Sequence, residues 1–549
     1  MEPGDPLAVA IVPGAGVAFA STDGTRVEHT DDIAAVIREV SAADPRFVWW
    51  SARETAAPLV RAGVRLRACW DLAAVARLLH GTSREDPGAV WALHRGLEQP
   101  APLRAELDLL DLGEEVDEQP LRPDGHLSRV WQQGGWARDL DTAARWAQLA
   151  LEVQQQQQSA LASLPDPRSE PGRTPLAVLT AHAESAAALL AVELGEAGLP
   201  VDRDVLAGIL EPSIGPPPVD DAHAAARRRV RDDVVRRHFP NSADVDLRNP
   251  AQVREMLARF GLMLPDTRSW RLEPHAATSE PVAALLAWRK AERLSTTYGW
   301  SWLERNVGAD GRLRGSWTAA EGAGRMTASA GLHNLPAELR PAVRAEPGHV
   351  LVRADLGQVE PRVLAVVSGD EALAQAARDE DMYAPVAARL GCDRPTAKVA
   401  VLAAMYGQTS GVAGNALRQM DRTYLQAMGY LRAAEEAGRT GTPLRTYGGR
   451  LLRMQPGWGR FARNAVVQGA AAELFKAWAA TVRAGLPPGA QIVLCLHDEL
   501  LVHGRRDDAE MLSALLVDAL TSTSRWWAAG SRVRFVADVS VAQSWADAH

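Results

Sequence analysis

Apolar positions in the first third of the chain alternate between strand and helix periods, which predicts a small α/β domain. Residues 7–20 predict two short strands joined by a Pro-Gly turn, and Phe47 to Trp50 predict another strand. Helical periods follow at 53–62, 71–80 and across 101–160. The glutamine run at 154–158 fits an exposed helix face or a frayed helix end.

Proline-rich segments divide the chain further. Residues 165–175 are a predicted linker, and 212–218 interrupt the pattern again after a long helix predicted at 176–195. The next helix, at 222–238, carries six arginines, which form either a solvated face or a set of phosphate contacts.

From residue 349 onward, short strands mix with long helices. A buried strand is predicted from His349 to Ala354, ending at Asp355, and a tight turn at 497–499 joins two further strands. The remaining predicted elements are helices at 395–405 and 461–480 and strands at 492–496, 500–503 and 532–541. The pattern as a whole predicts a multidomain α/β and α+β protein.

Composition places the chain among globular proteins. Of its 549 residues, 47% are hydrophobic and 23% charged, so wholesale disorder is excluded and several domains are expected. The three cysteines form no CxxC pair, which argues against a disulfide scaffold or zinc finger and fits a reducing cytosol. We find no signal-peptide pattern and no run of about 18 apolar residues, so a soluble, intracellular protein without a membrane span is expected.

Charge is distributed unevenly. The net charge is −8, yet residues 1–150 account for all of it, and residues 401–500 carry a balance of +5. Such a basic region can bind phosphates despite the negative total, although ordinary surface variation explains the same distribution.

Carboxylates stand at two predicted strand ends. Asp355 follows one strand, and Asp498 and Glu499 lie in the turn between two others. If the strands share a sheet, these acids can hold two Mg²⁺ ions for phosphoryl transfer. The alternative for an aspartate in such a place is a turn residue or a helix cap.

Four residues spaced by four mark one face of the helix near 400. They are Arg394, Lys398, Leu402 and Tyr406, and together they could grip a triphosphate and stack on a base. The alternative is an amphipathic helix whose charges face water. That alternative is weakened because Lys398 is one of only three lysines against 57 arginines.

Taken together, these motifs resemble a known family. Asp355 to Arg362 (DLGQVEPR), the helix just described and Leu496 to Leu500 (LHDEL) resemble, in order, the three signature motifs of family A DNA polymerases, the DNA polymerase I-like enzymes. Residues 324–336 are similar to the segment joining thumb to palm, and Arg460, Asn464 and Gln468 to a palm helix. The resemblance covers roughly residues 176–549.

The resemblance implies an architecture. It predicts a right-hand polymerase with a mostly helical thumb and fingers and an antiparallel palm sheet, preceded by an RNase H-like domain. The implied parts are an exonuclease-like domain at 1–165, the thumb at 176–325, the palm at 326–370 and 451–549, and the fingers at 371–450. Nothing resembling the family's 5′-nuclease domain is found.

The resemblance also implies a role for each matched residue. Asp355 and Asp498 would bind two Mg²⁺ ions, with Glu499 supporting them. Arg394 and Lys398 would hold the β- and γ-phosphates, and Lys398 is the candidate proton donor to pyrophosphate because guanidinium gives up a proton too reluctantly.

Further matched residues would surround the nucleotide and the DNA. Glu360 would close the space beside the sugar's 2′ position, and Gln358, Leu402 and Tyr406 would also contact the nucleotide. Leu402 stands where the family has Phe or Tyr, so dideoxynucleotide use is expected to change in Leu402→Tyr. The implied DNA contacts are Arg325, Asn334, Arg460, Asn464, Gln468 and His497.

The N-terminal domain departs from the family's 3′–5′ exonuclease. Its first strand lacks a D-x-E, and Thr55, Trp146 and Ala150 replace residues expected to be Asp, Tyr and Asp. Glu54 and Asp71 remain but do not complete an acid set. A degenerate domain without proofreading is expected.

The leading interpretation is a template-directed DNA polymerase in replication or repair gap filling. Its expected partners are primer–template DNA and deoxynucleoside triphosphates, and a monomer in the bacterial cytoplasm, associated with the nucleoid, is expected. The alternatives are a catalytically silent DNA-binding protein and, disfavoured by Glu360, a single-subunit RNA polymerase. Lys290 and Lys476 are expected to be replaceable by arginine, unlike Lys398.

Overall fold

The computed structural model describes residues 2–102, 119–407, 414–496 and 498–548. The elements of the N-terminal region are β1 (Pro6–Val12), β2 (Gly16–Ser21), β3 (Gly24–His29), α1 (Ile33–Ser41), β4 (Arg46–Trp49), α2 (Ala52–Thr55), α3 (Ala57–Arg61), β5 (Ala68–Asp71), α4 (Leu72–His80), α5 (Pro87–Arg95), α6 (Arg129–Gln132) and α7 (Leu140–Ala162).

Five strands of this region form one sheet in the order β3-β2-β1-β4-β5. The first three are antiparallel, and β4 and β5 run parallel to β1. Successive side chains of β1 point to opposite faces of the sheet and enter two apolar clusters. One cluster is completed by α4 and α7, and the other by α1 and α3. The expected α/β layering is therefore present, with β3 added as a polar edge strand that the apolar pattern did not signal.

Two expectations for this region are wrong in part. Residues 119–128 are not helical, and 103–118 lie outside the described residues. The glutamine run is exposed only in part, at Gln155 and Gln158, whereas Gln154 and Gln157 are buried on the face of α7 that packs toward the sheet. Gln157 accepts a hydrogen bond from the indole of Trp70 (2.7 Å) and donates one to the carbonyl of Leu72 (2.8 Å), which satisfies both ends of the buried amide.

The middle of the chain is mostly helical. Its elements are α8 (Leu176–Ala197), β6 (Leu199–Pro200), α9 (Arg203–Ile214), α10 (Asp221–Arg236), α11 (Pro250–Arg259), α12 (Ser269–Ala276), α13 (Glu280–Thr297), α14 (Trp300–Asn306), β7 (Arg312–Leu313), β8 (Trp317–Glu321) and β9 (Arg325–Ala328). Helices α10 to α13 enclose a separate apolar cluster, while α14 joins the main core.

Helix α8 is the most apolar of the described helices. It is long enough to cross a membrane, and an 18-residue stretch of it has a mean hydropathy of 1.4. Of that stretch, 67% is buried within the fold. Its residues contribute to the main core and to both clusters beside the N-terminal sheet. This packing is that of a core helix.

The remaining elements form a second sheet and the helices around it. They are β10 (His349–Leu356), α15 (Val359–Ser368), α16 (Glu371–Ala376), α17 (Tyr383–Leu390), α18 (Arg394–Tyr406), α19 (Gly414–Thr423), α20 (Leu425–Thr440), β11 (Leu444–Arg445), β12 (Leu451–Leu452), α21 (Gly459–Gly485), β13 (Gln491–Leu496), β14 (Glu499–Arg505), α22 (Ala509–Trp527) and β15 (Ala537–Ala542). The sheet order is β13-β14-β10-β15, all antiparallel. The last strand begins at 537, not at 532 as expected.

A buried ion cluster joins α8 to α21. The ammonium of Lys476 is fully buried and lies 2.8 Å from the carboxylate of Glu184, which also pairs with Arg450 at 2.6 Å. Lys476 also donates to the carbonyl of Ala319 in β8. Against the prediction from sequence, we therefore expect arginine at 476 to be poorly tolerated, because the larger guanidinium would enter a fully buried site.

Candidate functional site

Strand register brings the predicted acids to one edge of the second sheet. Asp355 in β10 lies directly opposite Glu499 in β14 and opposite Asp538 in β15. Asp498 occupies the turn between β13 and β14, where its carbonyl accepts a hydrogen bond from the backbone N–H of Leu356 (2.9 Å). Register thus brings carboxylates from three strands to the same edge of the sheet.

These carboxylates affect one another's protonation. Burial, together with the negative charge of Asp355, raises the pKa of Asp498 to about 6. Burial also raises the pKa of Asp355, against the opposing effect of Arg353 and with the help of Glu499 and Asp538. The negative charge of Asp498 is therefore poorly compensated, which is the condition under which a cation binds well.

Arg353 and Trp545 occupy the carboxylate of Glu499. The guanidinium of Arg353 lies 3.1 Å from Glu499 Oε1 and 3.0 Å from Asp355 Oδ2. The indole of Trp545 donates to the same Oε1 at 2.6 Å, and Arg340 lies 4.3 Å over the Trp545 ring. Glu499 is thus held through Oε1, whereas Asp498 has no basic partner within ion-pair distance among the described residues.

Helix α18 carries the predicted four-residue series. Asp393 caps its N-terminus by accepting from the N–H of Thr396, so the helix begins at Arg394. Lys398 is exposed on this face, and Leu402 is half-buried one turn further on. The spacing therefore places these side chains on one side of the helix, as predicted.

Arg394 is held by an acid that sequence inspection missed. Its guanidinium makes two contacts with Asp381, at 2.6 and 3.1 Å. The side chain of Gln358 donates to the same carboxylate (3.1 Å) and accepts from the N–H of Met382 (2.9 Å). Gln358 has a φ of +57°, so a strained backbone conformation at the start of α15 is held by these bonds.

Tyr406 ends α18 against three other predicted residues. Its hydroxyl donates to Glu360 Oε2 (3.0 Å), and Arg325 donates to the other oxygen of that carboxylate (2.7 Å). The hydroxyl is also hydrogen-bonded to Gln468 on α21, and burial raises the pKa of Tyr406. Four residues from four elements therefore form one polar group.

The remaining predicted DNA contacts lie nearby in the fold or along α21. Arg460 is exposed and Asn464 is half-buried, and both precede Gln468 at four-residue steps. The Oδ1 atom of Asn464 is enclosed without a hydrogen-bond partner in the described part of the chain. The side chain of Asn334 is exposed after β9, and His497 lies outside the described residues.

Sequence inspection missed Asp381, Asp538, Arg353 and Trp545. Asp538 alternates with apolar residues in the last strand, which was the one available signal, but its partner strand depends on register. The contacts of Asp381 and Trp545 join segments far apart in the chain, and no local pattern marks them.

Aromatic rings pack together in the N-terminal domain around Trp146, which replaces a residue expected of the family's exonuclease. The ring of Trp146 stacks on Trp50 (4.7 Å between centroids) and Trp136 (6.0 Å). Asp71 is buried and accepts from the N–H groups of Ala52 and Ala74, so it caps a helix. In the described part of this domain, the two remaining acids are not joined by others into a metal-binding group.

Comparisons with known proteins find DNA polymerases among the proteins similar to this chain. The model of DNA polymerase family A matches residues 240–431. The DNA polymerase I of Chloroflexus aurantiacus is 31% identical over 287 residues, covering 45% of this chain and 30% of that protein. By sequence, the chain is therefore similar to members of DNA polymerase family A.

Other family A proteins match over more of the chain. The DNA polymerase I of Mycobacterium tuberculosis H37Rv is 28% identical over 459 residues, which are 72% of this chain and 50% of that protein. The chain spans about a third to a half of the length of the curated relatives it matches.

A solved structure shows the same fold. The POL domain of Pol1 from M. smegmatis, in complex with DNA primer-template and dNTP, superposes with a TM-score of 0.64 at 21% identity. The match covers 100% of this chain and 96% of that one. The mixed α/β, mostly helical architecture of a family A polymerase domain is thereby shown.

Proposed function

We propose that this chain is a template-directed DNA polymerase that adds deoxynucleotides to a primer 3′ end by two-metal phosphoryl transfer. The observation that carries the proposal is the meeting of Asp355 and Asp498 at one sheet edge, within a family A fold. Similarity to the family alone is weaker support, because a silent descendant would share it.

The acids fit a pair of Mg²⁺ ions. Asp355 and Asp498 offer hard oxygen ligands, and the raised pKa of Asp498 marks a carboxylate that lacks a compensating charge. Bound there, the ions would supply activation of the primer 3′ oxygen and stabilisation of charge on the leaving pyrophosphate. Glu499, already held by Arg353 and Trp545, supports this edge without needing to bind metal.

The triphosphate would lie along α18. Arg394 must exchange its contacts with Asp381 for phosphate oxygens, while Lys398 is exposed and ready to make them. Lys398 is suited to give a proton to pyrophosphate because an ammonium can lose one. Glu360, fixed by Tyr406 and Arg325, would stand beside the sugar and exclude a 2′ hydroxyl.

The N-terminal region is proposed to be a degenerate, RNase H-like exonuclease domain spanning 1–165. Stacked tryptophans and a helix-capping Asp71 support this, since neither can bind the two ions that 3′–5′ cleavage needs. The rest of the chain is proposed to form thumb (176–325), palm (326–370 and 451–549) and fingers (371–450).

The wider role also belongs to the proposal. Primer–template DNA and deoxynucleoside triphosphates would be the partners of a monomer that fills gaps during replication or repair. Bacterial family A relatives support a place in the bacterial cytoplasm, at the nucleoid.

Primer extension tests the proposal. We expect a labelled primer on a longer template to be extended with Mg²⁺ and deoxynucleotides, and Asp498→Ala to abolish extension while retaining DNA binding. If the unsubstituted chain bound DNA without extending the primer, it would be a silent DNA-binding protein. If it preferred ribonucleotides, it would be an RNA polymerase. Metal-dependent shortening of the primer that is lost on mutating residues 1–165 would overturn the proposal for that domain.

A further inference from the structure

A rigid turn precedes β10 at the end of the sheet remote from Asp355. The N–H of His349 bonds to the carbonyl of Glu346 at 2.9 Å, which closes a four-residue turn. Pro347 and Gly348 occupy its centre, and Gly348 has the φ of +80° that the third position of a type II turn requires. The turn therefore brings the side chains of Glu346 and His349 together.

A third side chain reaches the turn from the neighbouring strand. In the β10–β14 register, His349 lies opposite Arg505 and Leu351 opposite His503, so the two histidines are diagonal neighbours on one face. Their rings stack with centroids 4.6 Å apart and planes 11° apart. One donor atom from each of Glu346, His349 and His503 lies within 4.8 Å of the others.

The hydrogen bonds leave the lone pair of one histidine free and engage that of the other only weakly. His349 Nδ1 lies 3.2 Å from the carbonyl of Pro347, which can only accept, so Nδ1 carries the proton and Nε2 is free. His503 Nε2 accepts the N–H of Glu346 at 3.3 Å, so this nitrogen is unprotonated, and its lone pair is engaged only by a long hydrogen bond that a bound ion would replace. Burial lowers the pKa of His503 to about 4, which keeps its ring neutral at pH 7.

The carboxylate of Glu346 also has an oxygen to spare. Both contacts from Arg312, at 2.6 and 3.0 Å, go to Oε1 and leave Oε2 for another cation. Arg312 adds positive charge nearby, so a cation bound here is held with moderate affinity.

We propose that Glu346, His349 and His503 form a binding site for a divalent transition-metal ion such as Zn²⁺, separate from the site at Asp355 and Asp498. Two imidazole nitrogens and one carboxylate oxygen suit zinc, with a fourth position for water, whereas Mg²⁺ prefers oxygen ligands. Six residues of strand separate His349 from Asp355, or roughly 20 Å, so the two sites share no ligand. A bound ion ties the turn to β14.

Zinc binding to the full chain tests this site. The parent for the experiment carries Asp355→Asn and Asp498→Asn, so that the sheet-edge acids do not contribute. Equilibrium dialysis with Zn²⁺ followed by metal quantification is expected to give about one ion per chain, undiminished by excess Mg²⁺. In that background, His349→Ala should weaken binding at least about tenfold, and Glu346→Gln by less.

Matched controls make the result decisive. His29, exposed on the edge strand β3, provides the control His29→Ala, which should bind zinc as the parent does. Zinc should also raise the thermal unfolding midpoint of the parent and not that of His349→Ala. His349 is half-buried at a strand end, so its variant should keep the parent's far-ultraviolet circular dichroism. Equal zinc affinity in parent and His349→Ala, or no bound zinc, overturns the proposal.

Discussion

The guanidinium of Arg353 lies 3.0 Å from the Oδ2 of Asp355, two residues further along the same strand. Alternation along β10 places both side chains on one face of the sheet, and the same guanidinium lies 3.1 Å from Glu499. A permanent positive charge therefore sits beside a proposed Mg²⁺ ligand, where it orients the carboxylate and competes with the ion.

Removal of that charge should change the metal requirement. We expect Arg353→Ala to reach half-maximal primer extension at a Mg²⁺ concentration several-fold lower, because a neighbouring cation raises the free energy of a bound divalent ion by on the order of 1 kcal/mol. Maximal rate should fall as Asp355 loses its orientation. Arg353→Lys keeps the charge and should keep the Mg²⁺ requirement of the unsubstituted chain. An unchanged Mg²⁺ titration in Arg353→Ala would contradict this account.

Lys398 and Lys290 should respond differently to the same substitution. Lys398→Arg is expected to lose most of the extension activity, by about 10²-fold or more, since guanidinium is a poor proton donor to pyrophosphate. Lys290 is exposed and paired with Glu338 at 2.7 Å, so the activity of Lys290→Arg should be close to that of the unsubstituted chain. Single-turnover extension rates measure both, and equal rates in the two variants would exclude the proton-donor role.

Glu360 should control sugar discrimination. In Glu360→Ala, the hydroxyl of Tyr406 and the guanidinium of Arg325 lose their shared partner, and space opens beside the proposed 2′ position. Ribonucleotide incorporation relative to deoxynucleotide incorporation should rise by about tenfold or more, which corresponds to about 1.4 kcal/mol. Extension assays with each nucleotide alone give the ratio. Glu371→Ala, at the exposed start of α16, is the matched control and should leave it unchanged.

Lys476 should matter for stability. Lys476→Met leaves Glu184 with one partner fewer in a fully buried cluster, so the free energy of unfolding should fall by about 3–5 kcal/mol. Urea denaturation followed by tryptophan fluorescence measures the change. Lys290→Met removes an exposed pair and should cost no more than about 1 kcal/mol. A loss that small in Lys476→Met would show that the cluster is not essential to the fold.

Acid should destabilise the protein through His182. Burial, with a contribution from the charge of Arg46, lowers the pKa of His182 to about 3, and its ring packs edge-on against Trp70. The folded ring stays neutral while the unfolded one takes a proton below pH 6.5, so this contribution is present above pH 6.5 and is lost as pH falls toward 3. Between pH 7 and 5 the loss should reach at most about 2 kcal/mol.

Comparison with His182→Gln isolates this effect. The variant cannot take up the proton, so its unfolding free energy should fall less between pH 7 and 5 than that of the unsubstituted chain. Parallel losses in the two proteins would assign the acid sensitivity to other groups.

The sequence by itself determined the features that depend on local backbone geometry. Helical spacing was enough to place Arg394, Lys398, Leu402 and Tyr406 on one face of α18, because the period of a helix is set within a few residues. Strand ends likewise predicted where Asp355 and Asp498 would stand.

Only the tertiary structure decided which of these elements meet. The pairing of Asp355 with Asp538, the grip of Arg353 on Glu499 and the closing of Asp381 on Arg394 all depend on strand register or on contacts between distant segments. Packing also buried Gln157 and Lys476, which composition and pattern had placed at the surface or left interchangeable. A polar side chain enters a core wherever partners from other elements satisfy it, and no local pattern specifies those partners.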